Sequence, residues 1–337
     1  MPLPCPSGTI SLLDIQNEFG GANPIAINEY YRNGGYVTSN NTNVPTGGQI
    51  SFSDFFCATN EVIVYLNSAT NVNVSSLFNS AIWQSTTISK KVIVNNGALI
   101  GGTSTAFYAL SISGFGGKFT LVNNGTIMGA GGQIQQGNIG GTGGNAIFAG
   151  SPNITIQNNG NIWAGGGAGG AGGTGGAGSY SAQTTTTACG GAPGCPGGYS
   201  QCNYYSGGCC QTYNFCCGLF NCGCTACSQY QQYRVCCTTI ITSGGTGGNG
   251  GLGRGYNNQS GSISGSAGSA GGINAGSGGA GGAGGDYGIS GGTGSAGSNG
   301  NYGAGTAGFA GGQAGCYIVN AGNVTWTATG NRKGLSC

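Results

Sequence analysis

From residue 276 to residue 303 every third residue is glycine, ten in succession, and this run constrains the fold more than any other feature of the chain. The same phase appears earlier. Between 165 and 178 the non-glycines Ala168, Ala171, Thr174 and Ala177 fall on every third position, and Ser243, Thr246, Asn249 and Leu252 repeat it. An ordinary helix is excluded, because each interior Gly costs roughly 1 kcal/mol relative to Ala. Period three is instead the turn of a polyproline-II-type helix, which rises about 3.1 Å per residue. Collagen shares that period but relies on proline, and here all eight prolines lie at or before Pro196. The tracts therefore predict polyglycine-II helices packed side by side. Without a Cβ the backbones can approach and hydrogen-bond laterally. A flexible Gly/Ser linker is the alternative; the strict phase and the regularly placed Ala and Thr favour ordered packing.

The rest of the 337-residue chain divides around these tracts. Residues 1–60 hold a threefold echo: Ile10-Ser11-Leu12-Leu13-Asp14-Ile15, Ile25-Ala26-Ile27-Asn28-Glu29-Tyr30 and Ile50-Ser51-Phe52-Ser53-Asp54-Phe55. Each copy reads as a short extended entry into a helical turn. Ser11 and Asn28 are expected caps, and the acids sit where the helix dipole favours them. Gly20 and Gly34 are expected helix stops.

Residues 61–163 are strand-like, with a short helix expected over 75–83. A second repeat runs through them as Val92-Ile93-Val94-Asn95-Asn96-Gly97, Leu121-Val122-Asn123-Asn124-Gly125 and Ile154-Thr155-Ile156-Gln157-Asn158-Asn159-Gly160, with a looser fourth copy at 317–326. Asn-Gly between β-branched flanks signals a turn. Copies at irregular spacing predict the stacked circuits of a β-solenoid with Asn ladders at the corners; a hairpin meander is the rival. The fold class expected is mainly β. It comprises a small N-terminal module (1–60), a β-solenoid-like body (61–163), a glycine-rich polyglycine-II region (164–315) with a disulfide-rich insert (179–243), and a C-terminal strand (316–337) returning to the body.

Composition excludes several functions. Charged residues are 4% of the chain, the net charge is +2, and between 119 and 331 the charges are Arg234, Arg254 and Asp286. Nucleic-acid binding needs clustered Lys and Arg. There is no His, and five of the six acids lie within the first 61 residues. General acid–base chemistry needs paired titratable groups, so no enzyme, catalytic residue, metal or cofactor is expected. The chance match to a phosphate loop at Gly116-Gly117-Lys118-Phe119 lacks the Ser or Thr after Lys. The start, Met1 to Pro6, has neither a charged nor an apolar segment of a signal peptide.

Sixteen cysteines nevertheless suggest an oxidising destination. Twelve lie in the insert: Cys189, Cys195, Cys202, Cys209, Cys210, Cys216, Cys217, Cys222, Cys224, Cys227, Cys236 and Cys237. Cys5, Cys57, Cys316 and Cys337 are the others. The even numbers and three adjacent Cys-Cys pairs favour disulfides over a zinc site. Cys5 with Cys57, and Cys316 with Cys337, each bracket a compact terminal segment and are expected to pair. The insert also holds Tyr199, Tyr204, Tyr205, Tyr213, Phe215, Phe220, Tyr230 and Tyr233. Rigid aromatics in a stapled loop bind at low entropic cost, and these eight are the candidate receptor-binding residues. The loop 256–260 is the second choice. The alternative is that the aromatics form the insert's own small core.

Residues 8–56, with Thr9-Ile10-Ser11, Asp14-Ile15, Glu18-Phe19-Gly20-Gly21 and Glu29-Tyr30-Tyr31-Arg32-Asn33-Gly34-Gly35, resemble a segment near the start of tailed-phage tail proteins. The Asn-Asn-Gly repeats, the glycine tracts and the ending Val324-Thr325-Trp326-Thr327-Ala328-Thr329-Gly330 resemble glycine-rich host-specificity and tail-tip adhesins of such phages. The resemblance implies a tail-fibre or tail-tip adhesin on the virion, extracellular after lysis, that mediates host-cell attachment. It also implies other tail or baseplate proteins as partners through residues 1–60, a host-surface glycan or outer-membrane protein as receptor, and a homotrimer as a candidate assembly. A purely architectural tail component is the first alternative. A surface-glycan depolymerase is the second, disfavoured because glycoside cleavage normally needs two nearby carboxylates.

Overall fold

The structure is a computed structural model that describes residues 3–134, 138–189, 193–216, 223–261 and 263–337; of Cys189, Cys202 and residues 204–216 and 223–231 it describes the backbone. The chain is mainly β with few helices.

The threefold echo becomes one small core. Its sixth residues, Ile15, Tyr30 and Phe55, are all fully buried, and Tyr30 and Phe19 each meet the Phe55 ring edge-on. Helix α1 (Leu12–Phe19) starts at Ser11 with a capping box. The Ser11 amide donates to Asp14 Oδ2 at 2.8 Å, and the Asp14 amide donates back to Ser11 Oγ at 3.2 Å. The Ser11 hydroxyl, which donates to Asp14 Oδ2 at 2.6 Å, and then the Ser11 amide hold the Asp14 carboxyl below its usual pKa. Ser51 and Asp54 repeat the box on the turn Phe52–Phe55. The middle copy carries Ala26 where the others carry Ser, and its turn Ile27–Glu29 has no side-chain cap. Asn28, the expected cap, lies inside that turn. Gly20 stops α1 at φ +81°, a conformation that favours glycine. Gly34 is not the stop expected of it: the second turn ends at Tyr30, and the Gly34 amide donates to Tyr31 O in a separate turn. Cys5 and Cys57 close the segment, with Cα atoms 4.5 Å apart.

Beyond residue 60 the chain winds through three five-stranded sheets, taking them in the same order on each circuit. The first sheet contains Glu61–Leu66, Ser89–Val94, Phe119–Asn123, Ile154–Asn158 and Val324–Ala328. The second contains Ala69–Thr70, Leu99–Gly101, Thr126–Met128, Asn161–Trp163 and Asn331–Lys333. The third contains Val72–Asn73, Leu110–Ile112, Ile147–Ala149, Cys316–Val319 and Leu335–Ser336. Pairing within all three sheets is parallel, which rules out a hairpin meander here. Side chains stack in register: Val92, Leu121, Ile156 and Trp326 along the first sheet, Ile100, Ile127, Ile162 and Arg332 along the second. Burying each such aliphatic side chain contributes about 1.5–3 kcal/mol.

The corner between the first two sheets carries the expected asparagine pairs. Asn123 Nδ2 donates to Asn158 Oδ1 at 2.7 Å inside the core, and outside it Asn95 reaches Asn67 and Asn159 reaches Asn124, each at 2.9 Å. The fourth repeat copy, expected at 317–326, is out of register. The segment aligned with the first three copies is 324–333, with Gly330 at the corner, whereas Tyr317 lies in the third sheet. The helix expected over 75–83 is two pieces, a 3-10 turn Val74–Leu77 and helix α2 (Ser80–Gln84), each begun by an asparagine cap.

The glycine region leaves the body inside its fourth circuit, after Trp163 on the second sheet, and returns at Cys316 on the third. Its bonds follow the three-residue period. Amides 166, 169, 172 and 175 donate to carbonyls 254, 251, 248 and 245; amides 167, 170, 173 and 176 donate to 289, 292, 295 and 298. Meanwhile amides 312, 309 and 306 donate to carbonyls 168, 171 and 174, and amides 285, 282, 279 and 276 donate to 167, 170, 173 and 176. The tract from 165 to 177 thus lies at the centre of the array, bonded to neighbours on several sides. A Cβ at Gly285 would strike the carbonyl of Ile289, and one at Gly294 that of Ala171. Where the array meets water, hydroxyls replace the missing partner: the amides of Thr174, Thr246 and Ser277 donate to the hydroxyls of Thr306, Ser269 and Ser298 at 2.7–2.8 Å.

Candidate functional site

The hydrogen-bond register decides where the insert stands. The tracts 166–175 and 245–254 are antiparallel, so their joined ends at 178 and 243 point away from the body. The insert is a three-stranded antiparallel sheet in the order Gly178–Cys189, Gly223–Thr242, Ser200–Cys216. Its base is clamped by two neighbouring loops. Ser179 O accepts from Asn274 Nδ2 and Asn301 Nδ2, both at 2.9 Å, and the Ser179 amide donates to Asn301 Oδ1 at 2.7 Å. Those loops expose Ile273 and Tyr302 beside the insert. Neither is legible in the sequence, because isolated apolar residues in a glycine tract carry no local signal.

A disulfide anchors the start of the insert, and Cys237, next to it on the central strand, is disulfide-bonded as well. Cys195 bonds Cys236 of the central strand, with Cα atoms 5.6 Å apart, and Thr186 Oγ1 donates to Gly194 O at 3.1 Å. The next residues form a tight turn in which the Tyr199 amide donates to Pro196 O at 3.0 Å and Gly198 takes φ +83°. Tyr199 then leads into the strand whose Ser200 faces Cys237. Of the eight aromatic candidates, Tyr199 and Tyr233 are described with their side chains, both partly buried. Tyr204, Tyr205, Tyr213, Phe215 and Tyr230 lie on the paired strands, with side chains outside the described residues, and Phe220 lies outside them altogether. Cys217 and Cys222 likewise lie outside, as do the side chains of Cys189, Cys202, Cys209, Cys210, Cys216, Cys224 and Cys227.

The second-choice loop, 256–260, stands at the opposite end. The Tyr256 amide donates to Gly129 O and its ring covers Gly101 of the second sheet. Beside it Arg254 pairs with Asp286 at 3.8 Å, and Tyr287 packs on Trp163 with Lys333 over both rings. Burial raises the Tyr287 phenol pKa.

Residues 60–218 match the family model of the phage tail fibre adhesin Gp38. The Gp38 match takes in the three-sheet body, the central glycine tract and the first part of the insert, and it bears out the resemblance to phage tail-fibre adhesins drawn from the sequence. Among solved structures, the crystal structure of the gp37-gp38 adhesin tip complex of the bacteriophage S16 long tail fiber is similar at 17% identity, covering 87% of this chain and 88% of that chain with a TM-score of 0.34. No curated protein sequence matches the chain.

Proposed function

We propose that this protein is a phage tail-fibre adhesin that attaches the virion to the surface of its host cell. The observation that carries the reading is the match of residues 60–218 to Gp38. Residues 1–60 serve as the module that docks on another tail protein. Residues 61–163 form a β-solenoid body, a reading supported by the parallel in-register circuits. Residues 164–315 form packed polyglycine-II helices, supported by lateral bonds every third residue, and 316–337 return to complete the body. The insert at 179–243 is the receptor-contacting tip, because it stands at the far end of the array and concentrates the varied, rigid side chains that recognition needs.

The protein acts by binding alone. Asp286, the one carboxylate after Glu61, is paired with Arg254 at the end nearest the body and away from the insert. The test is adsorption. Fluorescently labelled protein should bind host cells saturably, and excess unlabelled protein should block adsorption of the parent phage. Saturation without blocking, or no binding at all, would leave an architectural role.

A further inference from the structure

The insert carries a cleft whose chemistry narrows the receptor. It has a volume of about 440 Å³ and is lined by Ser181, Gly198, Tyr199, Ser200, Thr238 and Thr239, with the disulfide-bonded Cys237 between them. That size falls in the range of roughly 300–1,000 Å³ usual for small-ligand sites. Strand register explains how the lining converges. Ser181 lies directly opposite Thr239, and Cys237 lies opposite Ser200. Residues opposite one another share a face, and alternate residues of a strand share it too. Ser181, Thr239 and Ser200 therefore stand on one side of the sheet, all exposed. Arg234, the single charge between 178 and 243, lies three residues from Cys237 and so on the other side. The cleft face carries hydroxyls, the disulfide sulfur of Cys237 and no charge.

Tyr199 closes one side and is held there before any ligand arrives. The turn at 196–199 fixes its backbone, the Cys195–Cys236 bridge anchors the residue before the turn, and pairing of Ser200 with Cys237 fixes the residue after it. At Gly197 and Gly198 a Cβ would meet nothing within 4 Å. A rigid aromatic face beside several hydroxyls suits a sugar, whose C–H face packs on the ring while its hydroxyls exchange hydrogen bonds with Ser and Thr. The lack of charge suits an uncharged sugar. We infer that this cleft binds a neutral saccharide of the host surface, with Tyr199 as the stacking platform and Ser181, Ser200 and Thr239 as its hydrogen-bonding floor. The inference rests on the adhesin reading and names the receptor class for its tip.

The experiment measures adsorption of purified full-length protein to host cells that are untreated, oxidised with periodate to cleave vicinal diols, or shaved with protease. Periodate should lower adsorption about tenfold or more and protease should leave it unchanged. Tyr199→Ala should lower adsorption to untreated cells about tenfold, as expected for loss of a central aromatic contact. Tyr199→Phe, which keeps the ring, should remain within about threefold. Circular dichroism and thermal unfolding establish that each variant is folded. Adsorption lost to protease and indifferent to periodate overturns the saccharide assignment, and a folded Tyr199→Ala protein with unchanged adsorption removes the cleft. If the unaltered protein adsorbs to no host cell, the adhesin reading fails instead. Calorimetric titration with saccharide released from the host envelope by mild acid then decides the cleft separately: Tyr199-dependent heat supports it, and no heat overturns it.

Discussion

Arg332 stands in the last circuit of the body where Ile162 and Ile127 stand in the circuits before it, and its guanidinium lies 4.7 Å from the ring centroid of Trp326. A stack of identical circuits would end on a bare apolar face. Here the final circuit substitutes a cation over Trp326 and Tyr317, with Arg332 Nη1 3.4 Å from the Tyr317 hydroxyl. Arg332 is partly buried there. Arg332→Ala should lower unfolding stability in urea by about 1–2 kcal/mol, the scale of a partly desolvated cation–π contact. Arg332→Lys should recover part of that loss. An unchanged urea midpoint for the alanine variant would show that the cap contributes nothing.

The second circuit holds Lys90, fully buried and in register between Val62 and Phe119. Its ammonium donates to Gly116 O at 2.5 Å and to Ser85 O, tying two loops together under Trp83 and Phe115. Burial lowers the Lys90 pKa below its ordinary 10.5. The folded protein therefore releases this proton before the unfolded chain does. Between the lowered pKa and 10.5 the unfolded state binds more protons, so this residue's contribution to stability rises with pH. The phenols of Tyr30 and Tyr287, raised by burial, act in the other direction above about pH 10. Urea midpoints followed as the pH rises toward 10.5 should therefore climb more steeply for the natural protein than for Lys90→Met. Lys90→Ala should cost about 2–4 kcal/mol at pH 7, because it leaves a cavity and two carbonyls without their donor.

Close packing of the glycine array predicts a sharp dependence on position. Gly285→Val drives a branched side chain into the Ile289 carbonyl, and Gly288→Val adds a left-handed φ of +67° to a clash with the backbone at Gly334. The two together should prevent folding or lower the thermal midpoint severely. Gly292→Ala is the control, since its nearest neighbour, Ala283 O, stands at 3.4 Å. That variant should stay within about 1 kcal/mol of the natural protein. Equal tolerance at all three positions would mean that the tract is a linker.

Docking through residues 1–60 predicts a surface effect without a folding effect. Leu13 and Phe52 are exposed at 61% and 44% beside a core that is otherwise closed. Leu13→Glu with Phe52→Glu should leave the thermal midpoint unchanged and reduce incorporation of the protein into phage particles. Normal incorporation would remove this face from the docking surface.

The parts of the fold set by local chemistry were legible in the sequence. Ser11 and Asp14 announce their capping box, the Asn-Gly corners announce their turns, and the glycine phase announces an array with period three. The parts set by pairing between distant segments were harder to read. Asn28 looked like a cap, yet Ala26 precedes the turn, and a cap depends on which residue flanks it. The copy at 317–326 matched by composition, yet the register follows from Ile156 facing Trp326, a pairing between segments 170 residues apart in sequence. In the candidate site, aromatic content pointed to the insert as a whole. What singles out Tyr199 is the turn, the bridge to Cys236 and the hydroxyl row across two other strands, none of which is local.

Ser179 is the first residue beyond the glycine tract, and its backbone is gripped by Asn301 on both its amide and its carbonyl, with Asn274 sharing the carbonyl. Each such bond contributes about 0.5–1.5 kcal/mol net. A global unfolding measurement would register little of that, because the clamp lies at the end of the array and the body's core does not depend on it. Local opening is the sensitive readout. Asn301→Ala with Asn274→Ala should raise amide exchange at residues 178–185 and 235–242 about tenfold or more while leaving exchange in the strands Phe119–Asn123 and Ile154–Asn158 unchanged. If the insert's orientation at the tip matters for attachment, the same variant should adsorb to host cells more weakly with an intact thermal midpoint. Faster exchange with full adsorption would show that the tip binds without needing a fixed base, and unchanged exchange would show that the strand register alone holds it.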